Sequence, residues 1–233
     1  MSLASEHINK INSLKKEREE EIQLIAVSKK VSSEKILKFS CEHNHKDFGE
    51  NYLNEFKIKK KELNTKNFVW HYLGQIQSKK IPQIFESFNY VHAVSERKHF
   101  EKFNELGSKS EIKPGLFLQI KFGNEPAKTG VTYDEALLLR DFLVSLDSIE
   151  FAGLMCVLPL GLTKNKQENY FLKMNQLKKE YLKFFPVCQL SMGMSDDYEL
   201  AINSGANWIR LGRALFGERS ILPTLSIKKK EIT

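Results

Sequence analysis

Short apolar runs alternate with longer, polar, helically periodic stretches from one end of the chain to the other. The runs are QLIAVS (Gln23–Ser28), HKDFG (His45–Gly49), FVWHYLG (Phe68–Gly74), NYVHAV (Asn89–Val94), GLFLQIKF (Gly115–Phe122), IEFAGLMCV (Ile149–Val157), VCQLSM (Val187–Met192) and NWIRLG (Asn207–Gly212). Their length, β-branched and aromatic content and turn-like borders predict strands. Between them lie SSEKILKFSCEHN, NYLNEFKIKKKELNT, SERKHFEKFNELGSK, YDEALLLRDFLVSLD and NKQENYFLKMNQLKKEYLKFF, each long enough to carry the chain back for a parallel strand. Repetition of this unit predicts an α/β fold, a (β/α)8 TIM barrel, with an extra helix ahead of the first strand. No Pro-, Gly- or Ser-rich linker interrupts it, so residues 1–233 are expected to form a single domain. A doubly wound sheet fits less well, because no Gly-rich dinucleotide turn follows the first strand.

Sites in such barrels form where strands end and the next loops begin. The polar residues at those ends are Lys29, Glu50 with Asn51, His71 with Gly74, Ser95, Lys121, Met155, the stretch Ser191 to Ser195, and the stretch Arg210 to Arg213. Lys29 directly follows LIAVS, which places an ammonium at the end of a buried strand. Partial desolvation makes such a lysine easier to deprotonate, and a neutral amine can attack an aldehyde to form a Schiff base. The alternative is that Lys29 or its neighbour Lys30 extends along its alkyl stem to water.

The segment LSMGMSDDYELAINSGANWIRLGRALFG holds two glycine-bearing turns, each opening a helix-like stretch. Gly193 permits the first turn, Ser195 or Asp196 can cap the helix, Glu199 lies at capping-box spacing from Asp196, and Gly205 supplies a stop. Taken alone this is a capped helix. The second turn, at Gly212, changes the picture, because phosphate sites in these barrels often follow strands seven and eight. Arg210 interrupts the apolar run NWIRLG; a guanidinium facing the barrel interior needs a partner, whether a ring nitrogen, a phosphate or a carboxylate. On the opposite strand face it would reach the surface.

The formal net charge of +7 raises nucleic acid as a partner, but the excess lies in separate clusters such as KIKKKEL and SIKKKEIT, read here as solvated faces, and no nucleic-acid module is recognisable. The three cysteines, Cys41, Cys156 and Cys188, lack metal or redox spacing, and His43 and His45 lie two apart, so no metal is assigned. The polar N-terminus and the lack of a long apolar run predict a cytoplasmic protein without membrane contact.

The motifs AVSKK, DFGENYLNEF, WHYLGQIQSKK, VHAVSERK, AKTG, GLM and LSMGMSDDYELAINSGANWIRLGRALFG together resemble the pyridoxal phosphate homeostasis proteins, short relatives of the alanine racemase barrel. They fall in the same order across nearly the whole chain. The resemblance implies a barrel that holds pyridoxal 5'-phosphate (PLP) as an aldimine on Lys29. It implies a phosphate held by Ser191, Gly193, Met194 and Ser195 from the first turn and Gly212 and Arg213 from the second. Asn51 would flank the ring and Arg210 would face the pyridine nitrogen. Backbone N–H groups at helix starts suit a dianion, so the resemblance and the residues agree on where the phosphate lies.

Two departures accompany the resemblance. Lys121 stands in LQIKFGN where the family more often has asparagine, and Arg213 follows Gly212 where serine or threonine is usual. An arginine at the ring nitrogen disfavours protonating it and leaves the ring a poorer electron sink. Alanine racemase also resembles a barrel plus a β domain that supplies a second acid/base group, for which no sequence remains after strand eight. The expectation is therefore a monomeric PLP carrier that takes part in PLP homeostasis, with PLP-dependent apo-enzymes as recipients and no robust catalysis. The alternative is a PLP-dependent amino acid racemase.

Overall fold

The computed structural model describes residues 2–18, 21–63, 67–123 and 129–217. Helix α1 (Leu3–Lys16) precedes the first strand, capped by Ser2, whose hydroxyl accepts the Ser5 N–H. The barrel then runs β1 (Gln23–Val27), α2 (Ser33–His43), β2 (Asp47–Glu50), α3 (Leu53–Leu63), β3 (Val69–Tyr72), α4 (Ile81–Ser87), β4 (Tyr90–Val94) and α5 (Arg97–Gly107). It continues with β5 (Gly115–Ile120), α6 (Tyr133–Val144), β6 (Glu150–Cys156), α7 (Lys164–Tyr181), β7 (Gln189–Ser191), α8 (Tyr198–Asn203), β8 (Trp208–Leu211) and α9 (Arg213–Phe216). The strands pair in chain order and β8 closes on β1, giving a closed parallel barrel of eight. The expected (β/α)8 architecture is what forms, and every apolar run contributes a strand.

Local sequence explains the element ends. Ser32 caps α2 through the Lys35 N–H, and Asn44 ends it in the left-handed region at φ 47°. Thr132 and Glu135 make a reciprocal capping box on α6. α8 stops in a Schellman arrangement, with Gly205 N–H on Ile202 C=O and Ala206 N–H on Ala201 C=O. Its start differs from expectation: the cap position is Asp197, not Ser195 or Asp196, and its carboxylate turns back to the Met194 N–H at 2.6 Å.

Two apolar cores result. The larger lies between strands and helices; the smaller fills the barrel with Ile25, Ala93, Phe117, Ala152, Met155 and Trp208. Each large side chain buried this way contributes roughly 1.5–3 kcal/mol. Among the described residues no helix is long and apolar enough to cross a membrane. Ala127 and Lys128 of AKTG, and the SIKKKEIT tail, lie outside the described residues.

Candidate functional site

At the C-terminal ends of the strands is a cavity of about 290 Å³ lined by Lys29, Asn51, Met194, Ser195, Arg210, Gly212 and Arg213. Val27, Leu73, Met155, Val157 and Leu160 supply apolar wall, and Asp196 completes the rim. That volume is at the lower end for small-molecule sites, about 300–1,000 Å³. A larger depression of about 580 Å³, between Phe68, Trp70, Tyr90 and Glu150, lies where strands begin. Chemistry in this fold gathers at the opposite end, so the smaller cavity is the candidate site.

Lys29 sits half-buried on the wall, directly after β1. Both peptide groups beside it are held by α3. Lys59, only 4% exposed, donates to the Ser28 carbonyl at 2.7 Å, to Glu50 Oε1 at 2.7 Å and to Glu55 Oε1 at 2.6 Å. Glu55 in turn accepts the Lys30 N–H, and the Ser28 hydroxyl donates to Glu50 Oε1 at 2.6 Å. The clamp lets Lys30 adopt φ 61° with its side chain exposed, while Lys29 faces the cavity. Burial pushes the Glu50 carboxyl above its usual range, and the Lys59 charge opposes this. Lysine clusters read from sequence as solvated therefore include one buried member, Lys59. The signal was present: position 59 falls on the same inward stripe as Leu53, Phe56 and Leu63.

Asn51 carries a second informative atom. Its Oδ1 is buried with no hydrogen-bond partner among the described residues, an arrangement that costs stability unless something else donates to it. Gly74 is required next to it, because a Cβ there would lie 2.1 Å from the Asn51 carbonyl oxygen.

The two turns meet through Ser195, whose Oγ accepts the Ala214 N–H at 3.3 Å. Gly193 adopts φ 92°, and a Cβ on it would stand 2.6 Å from that of Ala201, so the tight turn admits only glycine without strain. Burial raises the Asp197 carboxyl, while the Met194 N–H bond and Arg210 pull it down. Arg213 pairs with Asp196 at 2.6 Å on the exposed rim.

Ser191 and Gly193 do not line the cavity. Ser191 is fully buried one layer below, where its Oγ accepts from Arg210 Nη1 at 2.7 Å and lies 2.9 Å from His92 Nδ1. Arg210 Nη2 donates to the Cys156 carbonyl at 2.7 Å, and the Arg210 backbone N–H donates to the Gly193 carbonyl at 3.0 Å. The guanidinium is thus inside the barrel, 5% exposed, with donors remaining for a ligand. Burial lowers its pKa, opposed by the Asp197 charge. Lys121 is not among the lining residues.

A family model described as "Alanine racemase, N-terminal domain" matches residues 6–220. The pyridoxal phosphate homeostasis protein of Vibrio alginolyticus is 34% identical over 206 residues, covering 86% of this chain and 88% of that one. That of Aquifex aeolicus is 30% identical over 200 residues, covering 84% and 87%. The chain belongs to the pyridoxal phosphate homeostasis protein family. PipY of Synechococcus elongatus PCC7942, solved with PLP bound, superposes with a TM-score of 0.81 at 31% identity, covering 93% of this chain and 100% of PipY. An alanine racemase of Clostridium difficile shares the fold at a TM-score of 0.67 and 16% identity, and this chain covers 55% of it.

The residues present fit PLP. An aldehyde needs an amine, which Lys29 offers; a pyridine nitrogen needs a donor, which Arg210 offers; and the buried Asn51 Oδ1 has no hydrogen-bond partner among the described residues.

Proposed function

We infer that this protein holds PLP in the cavity at the barrel mouth and takes part in keeping the cell's PLP in balance. The cavity that Lys29, Asn51 and the buried Arg210 line together at the strand ends carries the reading, together with the family relationship. When bound, PLP supplies an aldehyde that condenses with a primary amine, releasing water. Lys29 is the amine that would hold it, with its backbone fixed on both sides by Lys59 and Glu55. Met194, Ser195, Gly212 and Arg213 would surround the phosphate; Ser191 and Gly193 would act from behind, supporting Arg210 and the turn. Arg210 would donate to an unprotonated ring nitrogen and so restrain carbanion chemistry. That favours holding the cofactor over using it.

We further propose a single barrel domain that works in the cytoplasm as a monomer and passes PLP to PLP-dependent apo-enzymes. Spectral titration with PLP tests the binding. Wild-type protein should develop a visible absorbance band that sodium borohydride abolishes, and Lys29→Ala should develop none. A Lys29→Ala protein with the wild-type band would refute the assignment. Rapid α-deuterium incorporation into an amino acid would instead establish a racemase-like enzyme.

A further inference from the structure

A continuous chain of hydrogen bonds runs below Arg210 through the barrel core. Arg210 Nη1 meets Ser191 Oγ at 2.7 Å, Ser191 Oγ meets His92 Nδ1 at 2.9 Å, and His92 Nε2 meets His71 Nδ1 at 3.0 Å. His71 Nε2 then meets Asp47 Oδ1 at 3.1 Å, at the first residue of β2 and the far end of the barrel. Both imidazoles and Ser191 are fully buried, whereas the Asp47 side chain is 23% exposed. The rings are fixed by stacking, His71 on Tyr90 and His92 on Phe117 with interplanar angles of 9° and 8°.

The direction of every bond in this chain can be assigned. An ionised Asp47 only accepts, so His71 carries its proton on Nε2. Neutral His71 then accepts at Nδ1, which requires the proton of His92 on Nε2. His92 accepts at Nδ1, so the Ser191 hydroxyl donates to it and in turn accepts a hydrogen bond from the guanidinium. Arginine cannot accept, so no alternative direction is available while both ends are charged. Burial lowers the pKa of both rings, with Asp47 opposing this at His71 and with His71 and Arg210 reinforcing it at His92, in keeping with neutral imidazoles. Contact between His71 and Asp47 is accordingly a hydrogen bond to a carboxylate and not an ion pair.

We propose that Asp47, His71, His92 and Ser191 form a positioning relay that fixes the orientation and charge of Arg210 beneath the cavity and so sets the electronics of a pyridine nitrogen bound there. The relay connects a buried cation to a carboxylate that remains in contact with water, and it adds to the Cys156 carbonyl and the Asp197 charge in offsetting the cost of a guanidinium in the barrel interior. Each donor points from Arg210 towards Asp47, so the chain polarises in one sense, and weakening its far end weakens the hold on Arg210. Asp47, His71 and His92 act through Arg210 and do not touch the cofactor. The functional half of the proposal rests on the PLP reading above; the relay itself does not.

Long-range nitrogen–proton correlation spectra of uniformly 15N-labelled protein without PLP test the relay directly, with His71→Phe and His92→Phe used only to assign signals. Both rings should be neutral Nε2–H tautomers at neutral pH; an Nδ1–H tautomer or a doubly protonated ring at either position would overturn the assigned direction. For the functional half, Asp47→Asn keeps shape and an acceptor while removing the charge, and Ser191→Ala cuts the chain at its junction. With PLP labelled at the pyridine nitrogen, both should shift the nitrogen resonance and weaken PLP binding about threefold to tenfold, the worth of one hydrogen bond. Borohydride should still trap PLP on Lys29 in both variants at saturation. Unchanged nitrogen resonance and affinity in both would refute control of the site by the relay. Failure of wild-type protein to form the Lys29 adduct would refute the PLP reading and the functional half with it, leaving the tautomers to decide the relay alone.

Discussion

Replacing Lys59 by methionine removes the cation that holds Glu50, Glu55 and the Ser28 carbonyl while keeping a side chain of similar length. Glu50 is 0% exposed and Lys59 4%, so the loss resembles breaking a buried ion pair, worth about 3–5 kcal/mol. Two features place the cost near the lower figure. The Ser28 carbonyl still accepts the Val31 N–H at 2.9 Å, and the Ser28 hydroxyl still donates to Glu50. Glu50 can also take up a proton, since burial already raises its carboxyl and Lys59 is the main opposing charge. A loss of ~3 kcal/mol corresponds to a fall in Tm of roughly 6–12 °C for a chain of this size. The pH dependence has a definite sign. A carboxyl raised in the folded state binds its proton more tightly folded than unfolded, so stability falls as pH rises from the ordinary carboxylate range through the raised value. Without Lys59 that rise is larger, and the difference between wild type and Lys59→Met must grow with pH. Urea unfolding at mildly acidic and mildly alkaline pH measures it, and adding Glu50→Gln to Lys59→Met should recover most of the loss. A difference below about 1 kcal/mol, or one that does not change with pH, would show that Lys59 is not the buried counter-charge assigned to it.

Asn51→Leu removes a buried acceptor that has no partner among the described residues, so thermal stability without PLP should change by no more than about 1 kcal/mol while PLP affinity drops about tenfold; equal losses in both would mean Asn51 is structural. Gly193→Ala forces a side chain into the left-handed region against Ala201 and should cost at least ~1–3 kcal/mol, measured by denaturant unfolding, with weaker PLP binding as a consequence. Thiol labelling of native protein should find Cys41 reactive and Cys156 and Cys188 protected, since burial pushes both of the latter thiols up to about 12.

The fold was readable because each barrel strand is a compact apolar run and each helix is periodic, and those signals require no knowledge of partners. Lys29 was readable only in part: it directly follows a buried strand, but the same pattern left open that Lys29 or Lys30 extends along its stem to water. The clamp was harder. Lys59 sits within KIKKKEL, where composition suggests solvent, and only the stripe of Leu53, Phe56 and Leu63 indicates an inward position. Glu50 reaches it from β2 across the strand–helix layer, a contact no local pattern encodes. The relay was hidden for a different reason. Strands of a closed parallel barrel are buried on both faces, so VWHY and YVHAV do not show which face His71 and His92 occupy. Ser191 came forward as a phosphate residue through the family resemblance alone, and its own position in β7 did not reveal that its hydroxyl accepts from Arg210.

Mass mapping of the borohydride-reduced PLP adduct tests the central claim most directly, because it reports cofactor and residue in one experiment. The geometry predicts a single modified peptide carrying the reduced PLP on Lys29, with Lys30 unmodified. An adduct on Lys30, or spread over the surface lysines with none on Lys29, would contradict it.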